Sequence, residues 1–336
     1  MSPDRIRWPQ PIGSPVLESV RPVIERSRDV RTNVAKIAEH AGWMAYEELP
    51  LPQFALPFGI GDETRQAIDF SLVANTINFA FTDFERNIKF QVEYGGRNWS
   101  DSEALFACLK RAMDEGIPVL DGGYLRRVTR KDLAHIFRGN IEMPMLDERA
   151  EILNAAGEVL EKNYRGRFYE FVQAGPPRAF AEGHGLLERL IAEFPRYNDV
   201  STYDGHTIQI HKLAQLGLWA LHAALSRSSA FRVEDAERLT AFADYIVPVA
   251  LRVMNIFEYS PALENAINAH KLIPRDSAQE IEIRAHTIYA TALLREEINL
   301  RRPPELQVII PQVDARLWTH YHTTHWPHHL TRTIMY

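Results

Sequence analysis

Residues 277–300 read SAQEIEIRAHTIYATALLREEINL, and this stretch predicts a long helix. Similar apolar-periodic segments recur along the chain between short Pro and Gly clusters. Further helices are predicted at 101–115, 129–137, 146–162, 178–193, 211–227 and 233–256. Pro248 inside the last of these predicts a kink or a break. The fold class is therefore expected to be mainly α, in one compact multi-helix arrangement.

Strand signals are fewer. Residues 69–84 are rich in β-branched and aromatic side chains, which is typical of a strand pair or of a buried helix. Residues 207–210 alternate in polarity directly after the turn pair Asp204-Gly205, and this pattern predicts a small hairpin. We expect only minor β-hairpin content.

The chain has 336 residues, of which 46% are hydrophobic and 24% charged, so it is long and apolar enough to bury a sizeable core. That composition excludes an intrinsically disordered protein. Two parts are expected: an N-terminal helical segment at 1–60 packed on the main unit, and a single compact unit at 61–336.

The formal net charge of −6 gives no overall basic surface for duplex nucleic acid, so no stable nucleic-acid partner is expected. The one cysteine, Cys108, cannot form an internal disulfide, and it lies in an apolar stretch typical of a buried thiol. No apolar run approaches the ~20 residues of a membrane span. We expect a soluble, cytoplasmic protein that does not bind membranes.

Familiar catalytic signatures are missing. The sequence has no GxGxxG after a strand, no GxxxxGK[ST], no GxSxG and no HExxH. Residues 320–329 hold five of the 13 histidines, a density that suits a transition-metal site, but no cysteine or nearby carboxylate motif completes a ligand set. We predict no metal and no cofactor, with the histidines exposed or hydrogen-bonded to carbonyls or to a ligand anion.

Carboxylates in apolar surroundings are the other candidates. Asp199 lies in a polar, aromatic loop between two apolar helices, where both a catalytic group and a simple Asx turn or helix cap are typical. Asp244 precedes Pro248, and is expected either to bond free backbone groups at the kink or to point into a pocket. Glu282 and Arg284 are not on one helix face, so one is expected to face a ligand and the other solvent.

Nine segments together carry a resemblance to a known family. They are NTINFAF (75–81), NWS (98–100), RAMDEGIP (111–118), MPMLDER (143–149), FPRYND (194–199), KLAQL (212–216), FADY (242–245), EIEIR (280–284) and HLTRTIMY (329–336). From about residue 70 to the C-terminus, the chain resembles the queuosine salvage proteins, which are queuosine 5′-phosphate N-glycosylases. Any one segment alone is a weak signal, but the set is specific.

The resemblance implies hydrolysis of the N-glycosidic bond of queuosine 5′-monophosphate, with release of queuine, a 7-deazaguanine base, and ribose 5-phosphate. It also implies a fold similar to that of the helix-hairpin-helix DNA glycosylases. The family's catalytic acid corresponds to Asp199, where a carboxylate beneath C1′ stabilises the oxocarbenium-like sugar and either traps it or activates water.

Other roles follow from the same resemblance. Asp244 is expected to accept hydrogen bonds from the guanine-like edge of the base. The remaining candidate substrate contacts are Phe79, Trp99 and Tyr245 for stacking on the base, and Tyr203, Lys212, His322, His329 and Arg332 for the ribose and 5′-phosphate. Asn78 and Glu282 are expected to bind the substrate at a part that is left open. Relatives can carry an acid where Asn75 stands, so Asn75 receives no charge-dependent role.

Two alternatives stay open at this point. A DNA base-excision glycosylase of related fold predicts a positive groove and a Gly-rich hairpin, and the sequence shows neither. A non-catalytic carrier of queuine or of the nucleotide predicts binding without release of the base.

Overall fold

The computed structural model describes residues 6–51, 64–86, 88–226 and 230–336. Helices dominate these residues, and the strands form only small antiparallel pairs, so the predicted mainly α class with minor β-hairpin content is confirmed. The likeness to helix-hairpin-helix glycosylases stays a prediction. Within the described ranges, no helix combines the length and the apolar character that a membrane crossing needs.

The helices are α1 (Pro15–Ser19), α2 (Arg21–Arg26), α3 (Val34–Met44), α4 (Thr64–Thr76), α5 (Asp101–Asp114), α6 (Gly122–Leu125), α7 (Arg130–Ile136), α8 (Leu146–Asn163), α9 (Phe168–Gln173), α10 (Leu186–Glu193), α11 (Lys212–Leu225), α12 (Val247–Val253), α13 (Pro261–Asn268), α14 (Ala278–Asn299) and α15 (Ile310–Tyr321). The strands are β1 (Val30–Thr32), β2 (Gln91–Tyr94), β3 (Arg97–Ser100), β4 (Val200–Tyr203), β5 (His206–Gln209) and β6 (Phe257–Tyr259).

The chain divides into two compact units. Unit 1 comprises Met1–Pro52, Asp199–Gln215 and Asp235–Arg332, and unit 2 comprises Gln53–Asn198, Leu216–Glu234 and Thr333–Tyr336. The boundary predicted near residue 60 lies outside the described residues, and that division stays a prediction.

Helix α14 forms the centre of unit 1. It begins where the Ser277 hydroxyl accepts the Glu280 N–H at 3.3 Å, a helix cap that the sequence favours. Helices α2, α3, α12 and α15 pack against it. Because neighbours surround it, α14 is buried on all its faces rather than along one stripe, and its charged residues lie inside the core.

Two strand pairs complete unit 1. Strands β1 and β6 pair antiparallel, with Arg31 opposite Glu258. Strands β4 and β5 form the predicted hairpin around Asp204-Gly205, and both turn residues have positive φ angles of 46° and 80°. The hairpin is confirmed because its signal is local: an Asp-Gly pair readily adopts the left-handed backbone that a tight turn needs.

Unit 2 is built around α8. Helix α7, predicted at 129–137, begins with a capping box of Thr129 and Asp132. Helix α6 packs so closely on α8 that a Cβ added at Gly157 would lie 2.3 Å from the Arg126 backbone nitrogen. Only glycine fits at that crossing.

One predicted helix is shorter than expected. A helix was predicted at 178–193, but α10 begins only at Leu186. Glu182 and Gly183 have φ angles of 51° and 91°, which no right-handed helix accommodates.

Residues 69–84 hold the C-terminal part of α4 and then a loop with an isolated bridge between Thr82 and Lys89. The prediction of a buried helix, rather than a strand pair, therefore holds up to Thr76.

The helix predicted at 233–256 is wrong over its first half. A short 3-10 helix at Ala236–Arg238 is followed by irregular backbone, and α12 starts at Val247. Pro248 therefore lies in the first turn of α12 instead of kinking a longer helix. A proline is well tolerated there because its missing N–H has no intrahelical partner to lose.

The close approach at Gly157 makes a stability prediction. We expect Gly157→Ala to destabilise the protein by about 1–3 kcal/mol, because the new methyl group meets backbone atoms that cannot move aside. Gly42→Ala on α3 is the matched control: no atom lies within 4 Å of the added Cβ, so the substitution should stabilise by about 0.5–1 kcal/mol. Urea unfolding midpoints measure both changes in stability. Equal shifts of the midpoint in the two variants would contradict the close packing of α6 on α8.

Candidate active site

Asp199 and Arg284 form a buried ion pair in unit 1. The Arg284 Nη1 donates to Asp199 Oδ1 at 3.1 Å and Nη2 donates to Oδ2 at 2.5 Å. Asp199 is 2% exposed and Arg284 1%. This two-bond, planar arrangement is the strongest form of a carboxylate–guanidinium contact, and it fixes the orientation of the carboxylate.

Local backbone structure places Asp199 at the start of a helix. Its backbone carbonyl accepts the N–H groups of Ile210 and His211, which closes the β4–β5 hairpin against it. Its Oδ2 accepts the backbone N–H of Lys212, the first residue of α11, at 3.2 Å. Free N–H groups at a helix start favour a negative charge, so the fold supplies a second source of stabilisation for the carboxylate.

These contacts decide the charge of Asp199. Burial alone would raise its pKa, but the charge and the hydrogen bonds of Arg284, with the Lys212 N–H, outweigh burial and hold the pKa below its usual range. The carboxylate is thus ionised at neutral pH. A carboxylate held so firmly in the charged form is a poor proton acceptor and a good electrostatic partner for a cation.

Arg284 binds two further groups of unit 1. Its Nη1 lies 3.5 Å from Glu280 Oε1, one helical turn earlier on α14, and its Nε donates to the Ala243 carbonyl at 3.1 Å. The guanidinium is therefore flanked by two carboxyl groups and one carbonyl. The expectation that Arg284 or Glu282 faces solvent is wrong, because both are buried.

Asp244 follows directly after that carbonyl. Its Oδ1 accepts the N–H groups of Ile246 at 2.8 Å and Val247 at 3.1 Å, so it caps the start of α12. One of the two Asp244 oxygens therefore bonds backbone groups, which is the first of the two roles that the sequence left open. The neighbouring Tyr245 ring lies 4.5 Å from the His328 ring, centroid to centroid. Contact of Asp244 and Tyr245 with a base stays a prediction.

Tyr203 and Glu282 are bonded to each other. The Tyr203 hydroxyl donates to Glu282 Oε1 at 2.7 Å, and the same carboxylate accepts the backbone N–H groups of Arg28, Asp29 and Val30. Glu282 thus holds the turn before β1 from inside the core. Burial and this carboxylate raise the pKa of Tyr203. Whether either residue also contacts substrate stays a prediction.

The C-terminal candidates differ in their surroundings. His329 is buried, and burial, with the charges of His328 and Arg284, lowers its pKa to about 3, so its ring is neutral. His322 caps the end of α15, is exposed and stacks on Trp318 with ring centroids 4.6 Å apart. Arg332 is exposed. His329 lies within electrostatic range of Arg284.

Three candidates belong to unit 2. Phe79 is buried, with the Arg149 guanidinium 4.3 Å from its ring centroid, and Asn78 is half-buried one residue before it. Trp99 donates its indole N–H to the Tyr94 carbonyl at 2.9 Å. Their roles stay predictions.

The described residues contain no group of three or more His, Cys, Asp or Glu side chains arranged to hold a metal ion. Single histidines of residues 320–329 instead bond backbone carbonyls. His320 bonds the Arg316 carbonyl at 3.1 Å, and His328 bonds the carbonyl of His329 at 2.8 Å.

Sequence reasoning missed the partners of Asp199. Glu280 and Arg284 are four residues apart, a spacing that places them on one helix face and signals an ion pair. The pairing of Arg284 with Asp199 joins residues 85 positions apart, and no local pattern predicts it. Arg284 bonds Asp199 directly, contacts the carbonyl before Asp244, and acts on His329 through its charge. Lys212 joins this group through Asp199.

Comparison with known proteins shows the family of the chain. The family model described as queuosine salvage protein matches residues 59–336. The chain belongs to the queuosine salvage protein family. Curated relatives of this family member bear the name queuosine 5′-phosphate N-glycosylase/hydrolase. The protein of Sphaerobacter thermophilus is 35% identical over 96% of this chain and 97% of its own length. That of Bos taurus is 31% identical over 83% of each chain, and that of Mus musculus 29% over 95% of this chain and 98% of its own.

The Asp199–Arg284 pair makes a prediction for this family member. We expect Arg284→Met to lower stability at pH 7 by about 3–5 kcal/mol, because it leaves buried carboxylates without their cation. Urea unfolding measures the change. The control Arg301→Met removes a half-exposed partner of Glu297 and should cost about 1 kcal/mol or less.

The same pair has a defined pH dependence. Because the folded-state pKa of Asp199 is lowered, its stabilisation is present above the unfolded pKa of about 3.9 and is lost as the pH falls through the folded value. The difference in the free energy of unfolding between the wild type and Arg284→Met should therefore become smaller below about pH 4. A difference that stays constant from pH 7 to pH 3 would contradict the lowered pKa of Asp199.

Proposed function

We propose that this protein hydrolyses the N-glycosidic bond of queuosine 5′-phosphate and releases queuine and ribose 5-phosphate for queuine salvage into tRNA modification. The observation that carries the proposal is the ionised, buried and rigidly held carboxylate of Asp199. The names of the curated relatives, which match nearly the whole chain, support the substrate.

The proposed reaction breaks one bond and makes one. The C1′–N bond cleaves with its electron pair on the base nitrogen, which takes up a proton, while the sugar carbon becomes oxocarbenium-like. A water oxygen then joins C1′, either directly or after a covalent sugar–Asp199 intermediate. The ionised carboxylate stabilises the positive charge that develops on the sugar.

One carboxylate does not supply the whole rate. A well-placed electrostatic contact contributes roughly 3–4 kcal/mol, or ~100–1000-fold. The low basicity that Arg284 imposes on Asp199 favours charge stabilisation or nucleophilic attack over proton abstraction from water. Orientation of base and ribose by the surrounding residues must provide the remainder.

Asp244 is our candidate reader of the base. Its Oδ1 is committed to the first turn of α12, so the orientation of the carboxylate is fixed. We assign its other oxygen, Oδ2, to the adjacent N–H donors of the guanine-like edge. Tyr245, the next residue, is the aromatic side chain in unit 1 that we assign to stacking.

Lys212 is our candidate for the 5′-phosphate, since its side chain is a buried cation and its backbone N–H, at the helix start, bonds Asp199. Buried, neutral His329 can add one N–H donor. His322 and Arg332 are exposed, and they are assigned to the phosphate on the sequence resemblance alone.

The reaction as proposed consumes only water. We therefore propose no cofactor and no metal. The net charge of −6 supports a small nucleotide as substrate and no stable nucleic-acid partner. The single buried cysteine supports work in the cytoplasm.

Removal of the Asp199 charge is the direct test. Asp199→Asn keeps the size of the side chain, and Glu280 still accompanies Arg284, so the protein should fold. We expect free queuine, measured by mass spectrometry with EDTA present, to form about 100–1000-fold more slowly while substrate still binds. Asp204→Asn at the exposed hairpin turn is the matched control and should keep the wild-type rate.

Unchanged turnover in Asp199→Asn would contradict the role of Asp199. No base from the wild type, despite tight binding, would favour the carrier alternative. Turnover that EDTA abolishes would contradict the metal-free reaction.

The 5′-phosphate is tested with a matched substrate pair. We expect queuosine 5′-phosphate to be cleaved at least ~10-fold more efficiently than queuosine, because charge-assisted bonds to a phosphate contribute binding energy that the free hydroxyl lacks. The ratio of kcat/KM for the two substrates measures this preference. Equal values would remove the reason for a cationic phosphate contact at Lys212.

A further inference from the structure

Asp314 is a buried acid of unit 1 with no assigned role. It lies on α15, is 4% exposed, and accepts the backbone N–H of Phe242 at 2.9 Å through Oδ1. Phe242 lies two residues before Asp244, in the irregular segment that precedes α12. The bond therefore ties α15 to the segment that carries the proposed base reader.

Side chains of three other helices form hydrogen bonds to the backbone of that segment. Gln215 Oε1 accepts the Thr240 N–H at 2.8 Å, and Arg284 donates to the Ala243 carbonyl. Asp314 holds the position between these two, at Phe242. Since no helix or strand constrains residues 240–246, the place of Asp244 depends on these side-chain bonds.

We propose that Asp314 is a positioning residue for Asp244: it fixes the Phe242–Asp244 backbone in the geometry that meets the substrate's base. The inference rests on the proposed function. It adds a residue that acts through another and does not itself touch the reacting atoms.

The surroundings of Asp314 favour its protonated form. Burial and the nearby Asp244 carboxylate raise its pKa to about 8, against the opposing effects of the Phe242 N–H and the Lys212 ammonium. At neutral pH the neutral acid lies beside a single charged one. Above about pH 8 the pair becomes two buried carboxylates, whose repulsion acts on the segment that Asp314 holds.

The test compares the pH profile of kcat/KM for queuine release, from pH 6 to 9.5, in three proteins. For the wild type we expect a fall that approaches tenfold per pH unit above about pH 8. Asp314→Asn is permanently neutral and retains an acceptor oxygen, so this fall should disappear, whatever its rate at pH 7. The control Asp204→Asn, which removes an exposed carboxylate of the same unit, should keep the wild-type profile.

A second variant separates positioning from charge. Asp314→Ala removes the acceptor for the Phe242 N–H, and we expect kcat/KM to fall about 10–100-fold, mainly through KM. An alkaline fall that persists unchanged in Asp314→Asn, or wild-type kcat/KM in Asp314→Ala, would overturn the proposal.

Failure of the proposed function is distinguishable from failure of this inference. If the wild type releases no queuine at pH 7, the proposed function fails, and the affinity for queuosine 5′-phosphate against pH then tests Asp314. Affinity that weakens above about pH 8 in the wild type but not in Asp314→Asn supports the positioning role. Identical affinity profiles overturn it.

Discussion

The buried pair of Asp199 and Arg284 is the interaction on which the rest of the site depends. The three nitrogens of the guanidinium contact Asp199, Glu280 and the Ala243 carbonyl, so Arg284 fixes these three groups relative to one another. Its cost in desolvation is met by several hydrogen bonds at once, which is the condition under which buried ion pairs persist. What the pair provides is a carboxylate that stays charged in a nearly dry environment.

Helix α14 makes this arrangement possible. Glu280, Glu282, Arg284 and His286 are all buried on it, and each contacts a different part of unit 1. Glu282 holds the turn before β1, and His286 bonds Ser27 and Thr32 with its two ring nitrogens. Because burial lowers the pKa of His286 to about 3, that ring is a neutral structural group. One helix thus supplies both the core of the unit and the anchor of its site.

The sequence predicted those parts of the fold that depend on interactions between residues a few positions apart. The Asp204-Gly205 turn and the Thr129 capping box are complete within a few residues, so their signals are visible in the sequence. The region around Pro248 was misassigned because its backbone is fixed from a distance, by Gln215, Asp314 and Arg284. For the same reason the sequence pointed to Asp199 through resemblance but not to its partner. Periodicity placed Glu282 and Arg284 correctly on different faces, yet it could not show that both faces are buried.

The central claim is that Arg284 keeps Asp199 ionised inside the protein. The most direct measurement is the titration of the Asp199 side-chain carbon by NMR in aspartate-labelled protein, with the resonance assigned by its absence in Asp199→Asn. The account predicts a midpoint below the ordinary aspartate pKa of about 3.9. A midpoint near or above neutral pH would contradict it, because the buried carboxyl would then be neutral in the working enzyme.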